Sequence, residues 1–415
     1  MRTPKGIAGN EHGGIAVFTG LSFLVLAMGV GMSVDYGRAY TQKSAIQAAV
    51  DAAVLAATRA KATNPGLSVD SLAELAEQFF AAQPDVIKSG ASAPVATFTY
   101  SAGKVTGTVS TSVPTTLLKV AGFTALPLSV SSTAEIAGFS GEIAFVLDNS
   151  SSMSDSMHLA MVDATRGLID KLTSNKTNAG VKIGVVPFSK YVRVAMPGQY
   201  ALGGTSGTTW SNCTNDRKYP YNVQNSLPST GAVGSLFGRT DGNDVINSDE
   251  YADCDVKTPP SLLLRPLSND HAGTDSMVAG MVTGEGTNIF VGLQFGWHLL
   301  TPSGIWNDAA AFGQTKKYLI LLTDGRQNQK SFAADGTRTQ ENAWANTQTI
   351  CTNIKNSGVT LIAIAYDIDD PEGKADLQTC VTSGQYYHEG DQVAINEIMQ
   401  GIGSQIMSTG VRLVN

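Results

Sequence analysis

The chain has 415 residues, and at about 150 residues per domain that length holds two or three domains with room for a buried core. Charged residues make up 15% and apolar residues 42%, and the 43 glycines follow no period, which excludes collagen-like, coiled-coil and largely disordered chains. Lys and Arg number 28 against 35 Asp and Glu, a net charge of −7, and no window gathers Lys and Arg into a stripe able to neutralise phosphates, so the sequence points away from nucleic acid.

Residues 1–12 contain Arg2, Lys5, Glu11 and His12, and residues 13–34 then run without a charge. As a helix rising about 1.5 Å per residue this run reaches roughly 33 Å, slightly more than a hydrocarbon core of about 30 Å. It reads as one transmembrane helix. A secretory signal is the competing reading, but its apolar region is only about 7 to 15 residues long and ends in a small-x-small site, whereas Val34-Asp35-Tyr36-Gly37 follows here. A prepilin-like leader, suggested by Gly6 five residues before Glu11, is a third. Arg2 and Lys5 before the run balance Arg38 and Lys43 after it, so loop charge sets no orientation.

Residues 35–62 are Ala-rich and repeat apolar side chains at helical spacing through Ile46, Val50, Val54 and Leu55, which predicts a helical extension of the anchor. Asn64-Pro65-Gly66 stops it. Leu72, Leu75, Ala76, Phe79 and Phe80 mark one face of a second helix ending before Pro84. Thr- and Val-rich stretches at 96–100, 104–109 and 128–136 read as strands, with a hairpin turn at Ser101-Ala102-Gly103. Residues 63–140 are therefore expected to form a small α+β membrane-proximal unit.

From 141 to 415 strands alternate with helices, the pattern of a doubly wound, mostly parallel α/β sheet. The apolar runs 143–147, 181–186, 318–322 and 359–365 read as buried central strands. Leu159, Val162, Leu168, Ile169 and Leu172 mark one helix and Ile289, Leu293, Trp297 and Leu300 another; 340–355 and 393–407 are two more. Between them, residues 197–277 are rich in Gly, Ser, Asn, Asp and Pro and read as a large insertion. Its acidic stretch 241–255 does not fit an EF-hand loop.

Four cysteines, Cys213, Cys254, Cys351 and Cys380, lie far apart with no C-x-x-C pair. That spacing argues against structural zinc and for two disulfides in an oxidising compartment. Three connectivities are open, and the local pairs Cys213 with Cys254 and Cys351 with Cys380 are the expected one.

The first core strand ends in Asp148-Asn149-Ser150-Ser151-Ser152. Alternate residues of an extended segment face one way, which lets Asp148, Ser150 and Ser152 converge, and ligands of open α/β sheets bind outside the carboxyl ends of strands. Hydroxyls and one or two carboxylates suit a hard cation such as Mg²⁺. Gly286-Thr287-Asn288 at a helix start and Thr323-Asp324-Gly325 at a strand end are placed to supply the remaining oxygens.

This order, Asp-x-Ser-x-Ser, a later Thr and a later Thr-Asp-Gly, resembles the metal-ion-dependent adhesion site (MIDAS) of von Willebrand factor A domains. The resemblance implies a Rossmann-like fold for 141–415. It also implies that Asp148, Ser150, Ser152, Thr287 and Asp324 hold Mg²⁺, or Mn²⁺ or Ca²⁺, with a carboxylate of a protein partner completing the metal. The segments His12-Gly13-Gly14-Ile15-Ala16-Val17, Val34-Asp35-Tyr36-Gly37-Arg38 and 47–57 are similar to the TadE/TadG-like anchor of the tight-adherence (Flp) pilus assembly system. Gly284 to Pro302 and Arg412-Leu413 are similar to TadG-type proteins, which join this anchor to an A domain. The implied protein is a bacterial inner-membrane component with 1–12 in the cytoplasm and the large domain periplasmic or extracellular. Its implied role is docking a pilus-assembly or cell-surface partner, with a structural scaffold carrying a vestigial metal site as the alternative.

No G-x-S-x-G elbow, H-E-x-x-H pair or G-x-x-x-x-G-K loop occurs, and His12, His158, His271, His298 and His388 are scattered. An aspartyl-phosphate enzyme built on Asp148 would need an acid where Ser150 stands. The sequence is therefore read as that of a non-enzymatic protein.

Overall fold

The structure, a computed structural model, describes residues 12–64, 66–83, 93–136, 139–173, 180–238, 254, 257–325, 327–384, 387–408 and 410–414. The expected cytoplasmic segment up to Glu11 and most of the acidic stretch 241–255 lie outside these residues. The chain divides into two compact units, Met1–Ala137 with Gly410–Asn415, and Gly138–Thr409.

In the first unit one unbroken helix, α1 (His12–Thr63), combines the apolar run and its extension. Up to Val30 its described side chains, Phe18, Leu21, Phe23 and Leu26 among them, are exposed. From Gly31 a single stripe becomes buried through Asp35, Ala39, Gln42, Ile46, Val50, Ala53, Val54 and Ala57, the 3–4 residue spacing of one helix face. Against it pack α2 (Val69–Ala81) and an antiparallel sheet of β1 (Val95–Ser101), β2 (Lys104–Pro114), β3 (Ala125–Ile136) and the terminal strand Val411–Val414, in that order. Val50, Val54, Phe80, Phe98, Val105 and Val130 form the core. The β1–β2 turn has both central residues at positive φ, Ala102 at 49° and Gly103 at 78°, the two-residue geometry that matches strand twist. The extension 35–62 is thus a core helix of this unit.

The second unit runs in chain order through β4 (Gly141–Asp148), α3 (Asp155–Thr173), β5 (Val181–Phe188), β6 (Val192–Pro197), β7 (Thr209–Thr214), β8 (Arg265–Ser268), α4 (His271–Ala279) and α5 (Ile289–Leu300). It continues with β9 (Lys316–Thr323), the short pair β10 (Ser331–Phe332) and β11 (Arg338–Thr339), α6 (Gln340–Asn356), β12 (Thr360–Tyr366), α7 (Pro371–Cys380), β13 (Tyr387–Gly390) and α8 (Ile395–Ser408). The main sheet has the order β13-β12-β9-β4-β5-β8, parallel except for β8. All eight residues of β4 are buried, as expected of a central strand covered on both faces. Ile143, Phe145 and Leu147 enter the layer with α3 and α8, and Ala144 and Val146 the layer with α5 and α6. Every residue of α5 is buried. Gly292 and Gly296 let it cross the sheet closely, since a methyl at Gly292 would sit 2.8 Å from a ring carbon of Phe188.

Four expectations need correction. The stretch 197–277 is not all insertion, because β8 is the sheet edge and α4 a helix of the domain; a four-residue strand containing Pro266 and a helix with Gly273, Thr274, Asp275 and Ser276 carry too little periodicity to be read. The domain does not extend to 415, since Val411–Val414 pairs with β3. Likewise 63–140 is not closed on itself, for it needs α1 and that terminal strand. Leu159 is exposed, and the inner position of α3 belongs to His158, whose Nε2 lies 3.0 Å from Asn149 Oδ1.

Candidate functional site at the switch point of the sheet

Successive strands leave β4 in opposite directions, to β5 on one side and β9 on the other. The crevice between the carboxyl ends of β4 and β9 is therefore the switch point at which such sheets bind ligands. Asp148 closes β4, and Thr323 closes β9 with Asp324 next.

Asp148 is fully buried. Its Oδ1 accepts the Ser150 backbone N–H at 2.9 Å and its Oδ2 accepts the Thr323 hydroxyl at 2.6 Å. The Ser150 and Ser152 hydroxyls lie 2.7 Å apart, and both donate to Asp324 Oδ1, at 3.3 and 2.9 Å. Thr287 joins them from the loop before α5: the Cβ position of Gly325 is 3.9 Å from Thr287 Oγ1 and 4.0 Å from Ser152 Oγ. All five residues picked from the sequence thus meet at one rim, with Asp148 at its base and Ser152 exposed.

Burial, and next the charge of Asp324, push the Asp148 carboxyl up to about 7. Burial also raises Asp324, with the charge of Asp367 adding to it. Among the described residues no cationic side chain bonds either carboxylate. Two acids brought together without a counter-charge are costly, and a cation at their shared rim would offset that cost. No group of three or more His, Cys, Asp or Glu side chains able to share a metal occurs among the described residues. A cation here would be held by two carboxylates and hydroxyls, an all-oxygen set that fits a hard divalent ion.

Neighbours that the motif reading missed keep these residues in place. Asn328 Oδ1 accepts the Thr287 N–H at 2.9 Å and the Asn328 N–H returns to the Thr287 carbonyl at 3.1 Å. Gln327, buried, accepts the Phe290 N–H at 3.2 Å and donates to Asn288 Oδ1 at 3.0 Å. Asn149 accepts the Gly284 N–H on its carbonyl at 2.6 Å. Their only signal in the sequence is that they flank the motifs.

Away from the rim, Cys213 is bonded to Cys254 and Cys351 to Cys380, with Cα–Cα distances of 5.8 and 5.1 Å.

A family model described as Flp pilus-assembly TadE/G-like matches residues 13–62, and that of the von Willebrand factor type A domain matches residues 142–202. The chain accordingly joins a TadE/G-like N-terminal segment to a von Willebrand factor type A domain. Comparison with curated proteins gave no match. Among solved structures the chain is similar to the pilus adhesin SpaC from Lactobacillus rhamnosus GG in its open conformation, at 14% identity and a TM-score of 0.41, over 77% of this chain and 34% of that one. It therefore spans about a third of SpaC's length. It is also similar to the vWF domain of the type V pili tip protein Mfa5 from Porphyromonas gingivalis, at 10% identity and a TM-score of 0.41, over 65% of this chain and 95% of that domain.

Proposed function

We propose that this protein is a non-enzymatic, membrane-anchored component of Flp pilus assembly or surface adhesion, whose type A domain docks a carboxylate-bearing protein partner through a divalent cation. The observation that carries this reading is the convergence of Asp148, Ser150, Ser152, Thr287 and Asp324 on one rim, with two carboxylates that no basic side chain answers among the described residues. These five residues would hold Mg²⁺, or Mn²⁺ or Ca²⁺ in its place. When bound, the ion supplies a Lewis-acid position for the partner's carboxylate oxygen. Asp148 is held at the base by the Ser150 N–H and the Thr323 hydroxyl, and exposed Ser152 marks the side from which a partner reaches the site.

The apolar segment from Val17 in α1 is long enough to cross a membrane, and with the TadE/G-like match it supports a single-pass protein. Two disulfides fit an oxidising compartment. We therefore assign the second unit to the periplasmic or outer face of a bacterial inner membrane and the N-terminus to the cytoplasm. In cells carrying full-length Asp324→Ala, surface pili and adhesion are expected to fall to the level of the deletion strain. Full rescue by that variant, with no rescue by a chain truncated before Gly141, would instead favour a scaffold whose cation site is vestigial.

A further inference from the structure

The β2–β3 hairpin does not end in a polar turn. Its tip, Thr116-Leu117-Leu118-Lys119-Val120-Ala121-Gly122-Phe123, is apolar apart from Thr116 and Lys119. Leu117 is 45% exposed, Val120 81% and Phe123 61%, with only Leu118 turned inward. An exposed cluster of this kind at a loop tip marks a binding surface.

The tip is also fixed at one level of α1. The buried carboxylate of Asp35 accepts three successive backbone N–H groups, from Thr116 at 3.0 Å, Leu117 at 2.9 Å and Leu118 at 2.7 Å. Arg38 adds a bond to the Thr116 hydroxyl at 2.7 Å. One turn earlier, Gly31 is buried by Leu117, and a methyl there would lie 2.7 Å from Leu117 Cβ. A short 3-10 helix, Leu118–Ala121, and the left-handed Gly122 close the tip, with the Phe123 N–H on the Leu118 carbonyl. The exposed apolar side chains are therefore displayed rigidly, and little ordering cost attends their burial.

Gly31 lies three residues, about 4.5 Å of helix rise, inside the apolar run that ends at Val34. Just beyond it stand Tyr36 and Tyr40, both exposed, the residue type that concentrates at membrane–water boundaries. Arg38, between the two tyrosines, and Lys119, on the tip itself, provide cations there.

We propose that this tip is a second membrane contact: Leu117, Val120 and Phe123 enter the lipid interface beside the last turn of the spanning helix, with Lys119 among the headgroups. Elements of this kind embed about 5–10 Å into the headgroup and acyl boundary, a depth that one helix turn matches. The lipid surface is the favoured occupant because the patch is continuous with the exposed apolar surface of α1 itself. The first unit would then be held at two points, so that its helix cannot swivel freely about the span. The inference rests on reading 13–34 as a membrane span.

The test uses the full chain in lipid nanodiscs, with one new cysteine labelled by an environment-sensitive fluorophore; all four native cysteines are bonded. Positions are Phe23→Cys within the span, Val120→Cys at the tip, and Ser101→Cys in the β1–β2 turn at the far end of β2, about 33 Å away along ten strand residues. Spin-labelled phospholipid is expected to lower the emission of the labels at 23 and 120 at least about twofold and to leave that at 101 unchanged. Quenching at 23 with position 120 behaving like 101, open to aqueous iodide, would overturn the inference and leave the span intact. A label at 120 shielded from both lipid quencher and iodide would mean that a second copy or another protein covers the tip, and would also overturn it. Absence of quenching at 23 would remove the span and the inference together.

Discussion

Replacing Asp148 by Asn separates the charge of this residue from its shape. Asn keeps an acceptor for the Ser150 N–H, and the Thr323 hydroxyl, already 3.2 Å from the Gly325 carbonyl, is free to turn and receive the new amide. In the folded protein the Asp148 carboxyl is pushed up to about 7 from 3.8. At about 1.4 kcal/mol per pKa unit the ionised form costs on the order of 4 kcal/mol at most. A folded pKa above the unfolded one means that the native state holds the extra proton. Its stabilising contribution is full below about pH 3.8 and is lost as pH rises through about 7. At pH 8 in EDTA, Asp148→Asn is therefore expected to be more stable than wild type, by about 2–3 kcal/mol once the altered Thr323 bond is discounted. Added Mg²⁺ closes that gap: at a hundred times its Kd it stabilises wild type by about 2.7 kcal/mol and the variant not at all. Urea unfolding of the full chain in detergent reads this cleanly, since Trp210, Trp297, Trp306 and Trp344 all belong to the second unit. A variant less stable than wild type in EDTA at pH 8, or one with an undiminished Mg²⁺ effect, would refute the reasoning.

Four further outcomes are expected. Asp35→Ala removes the acceptor of three N–H groups, so amides 116–118 should lose protection from hydrogen exchange while the core of β2 and β3 keeps it. Those same bonds, that of Leu118 foremost, hold the Asp35 carboxyl below the usual carboxylate range; the pinned tip is thus stable above the unfolded pKa and released as pH falls through the depressed one, which exchange measured down an acid series checks. Gly292→Ala drives a methyl to 2.8 Å from Phe188 and 2.9 Å from Val146; overpacking should cost about 1–3 kcal/mol, read from the urea midpoint, and no change would mean that α5 has room to shift. Removing the Cys351–Cys380 bond by a double Ser substitution frees a loop of 29 residues and should lower stability by roughly 3–4 kcal/mol on the chain-entropy account, by the same measurement.

What could be read from the sequence follows where the signal is local. Strands β4, β5 and β9 are buried on both faces and so appear as unbroken apolar runs. The five rim residues were legible because each stands in a short motif at a strand end or a helix start. Long-range pairing left no such trace: Arg412 meets Glu135 across 277 positions, and Asp35 reaches the Leu118 N–H across 83. The turn signal at Ser101-Ala102-Gly103 was readable, but the apolar tip at the far end of β2 follows no strand or helix period. Supporting residues such as Gln327 and Asn328 are neutral side chains that look like loop, and only the hydrogen bonds to Phe290, Asn288 and Thr287 give them a role.

The central claim is that the rim at β4 and β9 holds a divalent cation, and calorimetric titration of Mg²⁺ into the full chain in detergent, wild type beside Asp324→Ala, tests it most directly. Asp324 accepts both serine hydroxyls, so the account predicts saturable one-to-one binding in wild type that disappears in the variant. Binding of equal strength in both proteins, or no binding to wild type at millimolar Mg²⁺, would contradict it.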